Sequence, residues 1–306
     1  MLALKRGLFA LMALLCLIFS IDPALALISG VAVRYLLGSE GVGKVSKIYK
    51  WLLQIIIVLL GFSLNTHQVI LQTKKSLPLI TFSVLAVFIT GFVLSKVLKS
   101  GNRISFLISS GTAICGGSAI ASMSAVLGSS SRDTSSALGV VFVLNALAIF
   151  VFPWAGNILN MSESQFGLWC AVAIHDTSSV IAAASAFGKE ALEIATTVKI
   201  VRAMWILPLV FIVALWPNSQ GKIRIPWFIV LFVLAVVLTC FIPFSAEFRS
   251  LTFNSSKSIM SAVLFLMGAD LSYNDLRRAG YKPIILGILL WVFIGISTAL
   301  LICSFY

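Results

Sequence analysis

A histidine and a carboxylate stand side by side at His175 and Asp176, and three hydroxyls follow at Thr177, Ser178 and Ser179. The stretch around them is apolar. An imidazole changes charge near neutral pH, so His175 can carry a proton or hold an anion. Ionisable groups at membrane depth cost about 2.5 to 3.5 kcal/mol on insertion scales for Asp, and they normally face a pathway or a partner. Lys199 and Arg202 lie three residues apart, hence on one face of a helix. Asp176 is the expected countercharge for one of them, which leaves a net positive site suited to an anion. Snorkelling of both cations towards headgroups is the competing reading.

A second cluster, Ser109-Ser110-Gly111-Thr112-Ala113-Ile114-Cys115-Gly116-Gly117-Ser118, interrupts another apolar stretch with small and polar residues. Each glycine costs a helix interior about 1 kcal/mol relative to alanine, so Gly116-Gly117 predicts a break. A break at membrane depth frees backbone groups that need partners, and it is tolerated where it lines a cavity. A half-helix starting near Gly117 and Ser118 would aim N–H groups and a positive dipole end at an anion, with Thr112 and Cys115 adding donors. Close packing through small residues is the alternative.

The elements that position these clusters are apolar and long. The chain is 60% hydrophobic and only 10% charged, against about a quarter charged in soluble domains. Runs such as Trp51 to Leu60 are apolar throughout except for Gln54, without the alternation of membrane-barrel strands. The expected fold is all-α: one polytopic membrane domain over 1–306. Eleven spans are predicted, at about 7–21, 24–38, 51–71, 77–97, 104–128, 134–156, 166–187, 194–216, 226–244, 256–272 and 283–304. The links are short and punctuated by Gly, Pro, Asn and Ser.

The net charge of +12 comes from Lys and Arg in these links and does not read as a nucleic-acid footprint. With a cytoplasmic N-terminus, 13 basic loop residues lie inside and 6 outside, which sets the orientation in the inner membrane. Lys5-Arg6, a short apolar region and Ala24-Leu25-Ala26 also fit a secretory signal peptide; cleavage there would leave the remaining topology unchanged. A faint echo between 61–78 and 268–283 has the sense of an inverted repeat. Arg34 and His67 fall near span ends and read as interfacial, as does Asp270, which approaches the site only if its helix breaks at Gly268. The five cysteines show no metal or disulfide spacing. No phosphate-binding G-x-x-x-x-G-K-[ST] motif occurs, which argues against direct ATP drive from this chain.

The stretches GTAICGGSAIAS at 111–122, AIHDTSSVIAAASAFGKEALEIATTVKIVRAMWILPLV at 173–210, IPW at 225–227 and DLRRAGYKP at 275–283 resemble the YeiH family (UPF0324) of bacterial membrane proteins. That family also carries a sulfate exporter label, given by analogy. The resemblance runs from about residue 28 to the C-terminus. It implies kinship with the cation/proton antiporter and anion transporter superfamily: inverted repeats, crossed broken helices and an elevator-like exchange. It places Cys115 to Ser118 at a helix break. His175-Asp176 stands for the family's usual His-Glu pair, and Gly117 replaces the Ala or Asn of many relatives.

The expectation is therefore a secondary transporter, not an enzyme. Thr112, Cys115, Gly116, Gly117, Ser118, His175, Asp176, Lys199 and Arg202 would bind a small anion, with no cofactor or bound metal. A coupling ion (H⁺ or Na⁺), membrane lipid and a second copy of the chain are the expected partners. The alternative is a cation/proton antiporter that uses Asp176, with Asp270. An intramembrane enzyme built on Cys115 and His175 lacks an orienting third group.

Overall fold

Continuous apolar runs leave the backbone to satisfy its own hydrogen bonds, and within one segment only a helix does so. In the computed structural model every regular element among the described residues is a helix. The structure describes residues 2–19, 21, 23–38, 46–63, 66–215, 227–242, 244–270 and 280–305. The expected loops over 39–45, 216–226 and 271–279, and the side chains of His67, Cys240 and Asp270, lie outside the described residues.

The chain divides into two compact units. The first holds α1 (Leu2–Phe19), α2 (Pro23–Leu37), α3 (Ser46–Ser63), α12 (Trp227–Phe241) and α13 (Ala246–Asp270). Its tightest joint is reciprocal: a methyl on Gly30 would meet the Phe265 carbonyl, and one on Gly268 would meet the Leu27 carbonyl. Backbones approach this closely only where side chains are absent. Arg34 donates from Nη1 to the Ala269 carbonyl at 2.5 Å, closing the end of α13, and does not simply snorkel.

The second unit is built on α4 (Thr66–Leu98, from Leu71 onward), α5 (Asn102–Ala113), α6 (Gly117–Leu127), α7 (Ser131–Ile158), α8 (Glu163–Ala173), α9 (Thr177–Phe187), α10 (Lys189–Ala203), α11 (Ile206–Ala214) and α14 (Tyr281–Phe305). Among the described residues four stretches are long and apolar enough to cross a membrane: Gln72–Leu98, Arg132–Ile158, Lys189–Ala214 and Tyr281–Phe305. The last-but-one contains α10 and α11, separated by a turn at Met204 and Trp205. Pro208 explains that turn, because it has no N–H to return to Met204.

Two predicted spans are corrected. Segments 104–128 and 166–187 do break where glycine and the His-Asp pair suggest, but neither crosses. In series, the halves of 166–187 would hold Phe166 and Phe187 about 30 Å apart at 1.5 Å per residue. Instead their rings stack at 3.8 Å. Likewise Arg103 at the start of α5 donates to the Gly128 carbonyl just past α6 at 3.5 Å. Each segment is a helical hairpin whose 11- or 12-residue arms are too short to span a core of roughly 30 Å. The crossed broken helices implied by the family resemblance are thus replaced by two re-entrant hairpins.

Helix α7 shows how the hairpins face. Thr134 bonds Ser124 at 2.6 Å, near the base of the first hairpin. Leu138 and Phe142 flank Gly117 at its tip. Asn145 then bonds Asp176 at the tip of the second hairpin, and Gly156 packs on Phe166 and Phe187 at its base. Along one helix the order is base, tip, tip, base, so the hairpins enter from opposite ends and meet midway.

Candidate functional site

The first tip is shaped by glycine. Gly116 adopts φ 60° and ψ −120°, a region closed to side chains, and its N–H returns to the Gly111 carbonyl at 2.8 Å. A Cβ at Gly116 would stand 3.3 Å from Cα and Cβ of Asp176. The two tips therefore touch, backbone to backbone. No side chain caps α6 at Gly116, so its first turn presents Gly117 and Ser118, both partly buried, at the junction.

The second tip leaves the helix at Ile174 and is extended there and at Asp176. Asp176 caps α9, accepting the Ser178 N–H at 3.1 Å and the Ser178 hydroxyl. Its own N–H donates to Asn145 Oδ1 at 3.2 Å. The carboxylate makes its short contacts locally and stands within electrostatic reach of Lys199, and among the described residues it forms no direct ion pair with Lys199 or Arg202.

Those cations are held by helix C-termini. Lys199 Nζ donates to the Ile174 carbonyl at 2.6 Å and to the Ala171 carbonyl at 3.4 Å. Arg202 donates from Nη2 to the Thr112 carbonyl at 2.9 Å and from Nη1 to the Ala171 carbonyl at 3.4 Å. The broken helices end in unsatisfied carbonyls at the negative pole of the dipole, and α10 supplies both charges that satisfy them. Arg202 bridges the last turns of α5 and α8, tying one hairpin to the other. Both side chains are fully buried, so the snorkelling alternative fails.

Six buried polar atoms at the tips have no hydrogen-bond partner: Thr112 Oγ1, Asn145 Nδ2, both ring nitrogens of His175, Ser179 Oγ and Arg202 Nε. The same condition is met by three other atoms among the described residues, on Ser129, Arg249 and Trp291. An unmet buried group costs about 1–3 kcal/mol. Their concentration on five residues linked through Asp176, Ile174, Ala171 and Thr112 marks a place where hydrogen-bonding capacity is left over. Four of these atoms can only donate or donate readily, and the formal charge of Lys199, Arg202 and Asp176 sums to +1. Such a set suits an anion.

The sequence-predicted residues Thr112, Cys115, Gly116, Gly117, Ser118, His175, Asp176, Lys199 and Arg202 all fall on or against the paired tips. Cys115 is buried and free, as are Cys16 and Cys170. Asn145 was not anticipated, and Ser179, one of the three hydroxyls after Asp176, was not among the expected ligands. Asn145 is the only polar side chain between Gly139 and Pro153, and a lone amide in mid-span was the available signal.

The second hairpin is firmly based. Glu163 accepts the N–H groups of Glu190 at 2.9 Å and Ala191 at 3.3 Å, capping α10. Trp169 Nε1 donates to the Gly295 carbonyl at 2.9 Å, fixing α8 on α14.

A family model described as "Conserved hypothetical protein 698" matches residues 10–287. A UPF0324 membrane protein of Photobacterium profundum is 43% identical, covering 95% of this chain and 90% of its own length. One of Bacteroides thetaiotaomicron is 42% identical, covering 91% and 85%. One of Shewanella oneidensis is 39% identical, covering 98% and 95%. No solved structure matches the chain.

Proposed function

The chain belongs to the family described as conserved hypothetical protein 698, and from that premise we propose that it is a secondary transporter of a small anion, sulfate-like by the family label. The observation that carries this reading is the cluster of unpartnered buried polar atoms where two oppositely directed hairpins meet. A site halfway between the ends, reached by half-helices from either side, is what alternating access requires. Lys199 and Arg202 set its sign. The hairpin-bearing unit is the moving body of an elevator-type exchange driven by an ion gradient.

The distribution of charge supports an inner-membrane location. Within this unit Lys96, Lys99, Arg103, Arg132 and Lys282 gather at the end from which the first hairpin enters. Lys74, Lys75 and Lys189 gather at the other, offset by Glu163, Glu190 and Glu193. By the positive-inside rule the first end is cytoplasmic, in keeping with a cytoplasmic N-terminus.

Counterflow of labelled sulfate in proteoliposomes tests the proposal. Wild-type protein exchanges it, and Arg202→Met, which removes the bridge and a charge, loses exchange by tenfold or more, as about 1.4 kcal/mol or more of lost interaction would give. Absence of anion exchange, together with a sodium-dependent pH change abolished by Asp176→Asn, would instead establish a cation antiporter. Cys115→Ala retains exchange, because the thiol has no chemical task here.

A further inference from the structure

Resting on the anion reading above, we propose that the site takes a divalent oxyanion together with one proton, and that His175 holds that proton. His175 is fully buried at the extended tip, and neither Nδ1 nor Nε2 has a partner. A neutral imidazole offers one donor and one lone pair, whereas an imidazolium offers two donors. An oxyanion without hydrogen can satisfy both ring nitrogens only in the second case.

The charge balance points the same way. Arg202, Lys199 and Asp176 leave the empty site at a formal +1 with His175 neutral. A divalent anion alone would bring it to −1, an uncompensated charge in a buried place where such charges are costly. A proton on His175 brings the loaded site to zero. The groups facing His175 are accounted for: Lys199 and Arg202 of α10 lie within electrostatic reach. Asp176 is its chain neighbour, and the Cys115 thiol sits across the touching tips. From α7 the contact is the neutral amide of Asn145. Asp176 accepts both Ser178 hydrogen bonds at Oδ2, which favours its charged form, and the imidazole, with no partner on either nitrogen, is the group to which the proton is assigned.

Sulfate is the probe, because its own charge is constant through the neutral range. Calorimetric titration of the purified full-length protein in two buffers of different ionisation enthalpy counts the protons taken up. About one proton per sulfate is expected, with affinity falling up to tenfold per pH unit as protons become scarce. Nitrate, being monovalent, binds without proton uptake. The chain has two histidines, His67 and His175. In His67→Gln protein labelled with ¹⁵N-histidine, saturating sulfate converts the remaining ring signals from the neutral to the imidazolium pattern. Sulfate binding without proton uptake, or with unchanged ring signals, overturns the proposal and leaves anion transport standing. Failure of both sulfate and nitrate to bind overturns both.

Discussion

Gly116 and Asp176 stand backbone against backbone where the hairpin tips meet, so close that a methyl on Gly116 would lie 3.3 Å from Cα and Cβ of Asp176. The contact explains why a glycine is needed at this point of the chain. Gly116→Ala must force a side chain into φ 60° and push on Asp176, the residue that caps α9 and bonds Asn145. A loss of about 1–3 kcal/mol is expected, the cost of one residue held in a disallowed region. Gly117→Ala meets Phe142 ring atoms at 3.3 and 3.4 Å, which can turn aside, and is the milder change. Thermal unfolding of the two purified variants checks the order; equal losses would contradict it.

Asn145 separates folding from binding. Asn145→Asp keeps an acceptor for the Asp176 N–H but replaces the unpartnered amide with a negative oxygen. The variant should fold and lose the stabilisation that sulfate gives the wild type, since a ligand protects only the state it binds. Asn145→Leu removes the acceptor too and should lower stability by about 1–3 kcal/mol. Sulfate protecting Asn145→Asp as well as wild type would remove Asn145 from the site.

Glu163 lies far along α8 from the tips, yet it sets the register of the helix that carries Lys199 and Arg202. Glu163→Ala leaves the first turn of α10 uncapped and should cost about 1 kcal/mol. Glu163→Gln retains the acceptor and most of the stability. Chemical denaturation of both variants tests this, and the claim fails if the glutamine variant is as weak as the alanine one.

Much of the site was legible in the residues. Gly116-Gly117 marked a break because glycine is a poor helix former, and the cost of burying His175, Asp176, Lys199 and Arg202 marked a shared location. What could not be read was direction. A 25-residue apolar stretch broken at its middle can cross or fold back, and the difference rests on contacts distant in sequence or across a turn, such as Arg103 with Gly128 and Phe166 with Phe187. The direct partners of the two cations were hidden for a related reason. Carbonyls at the ends of broken helices are invisible in a sequence, and they accept the hydrogen bonds of Lys199 and Arg202, while Asp176 acts on Lys199 only through its charge. Arg34 stands near a span end as expected, and what the sequence did not reveal is its partner there, the end of another helix.

Topology is the sharpest test, because the hairpins move one loop to the other side of the membrane. Arg103 and the Gly128 carbonyl touch, so Arg103 and Arg132 lie at one end of their unit, and Lys189 lies at the other with Glu163. Single cysteines placed by Arg103→Cys, Arg132→Cys and Lys189→Cys in a cysteine-free chain can be probed with a membrane-impermeant maleimide. In inside-out vesicles Arg103→Cys and Arg132→Cys should react together, and in intact spheroplasts only Lys189→Cys should. Were 104–128 a crossing span, Arg132→Cys would react in company with Lys189→Cys. The orientation of the rest is unaffected either way, because a hairpin followed by a reversed neighbour restores the direction of the next helix. The side on which Arg132→Cys reacts therefore distinguishes a broken crossing helix from a re-entrant one, independently of any substrate.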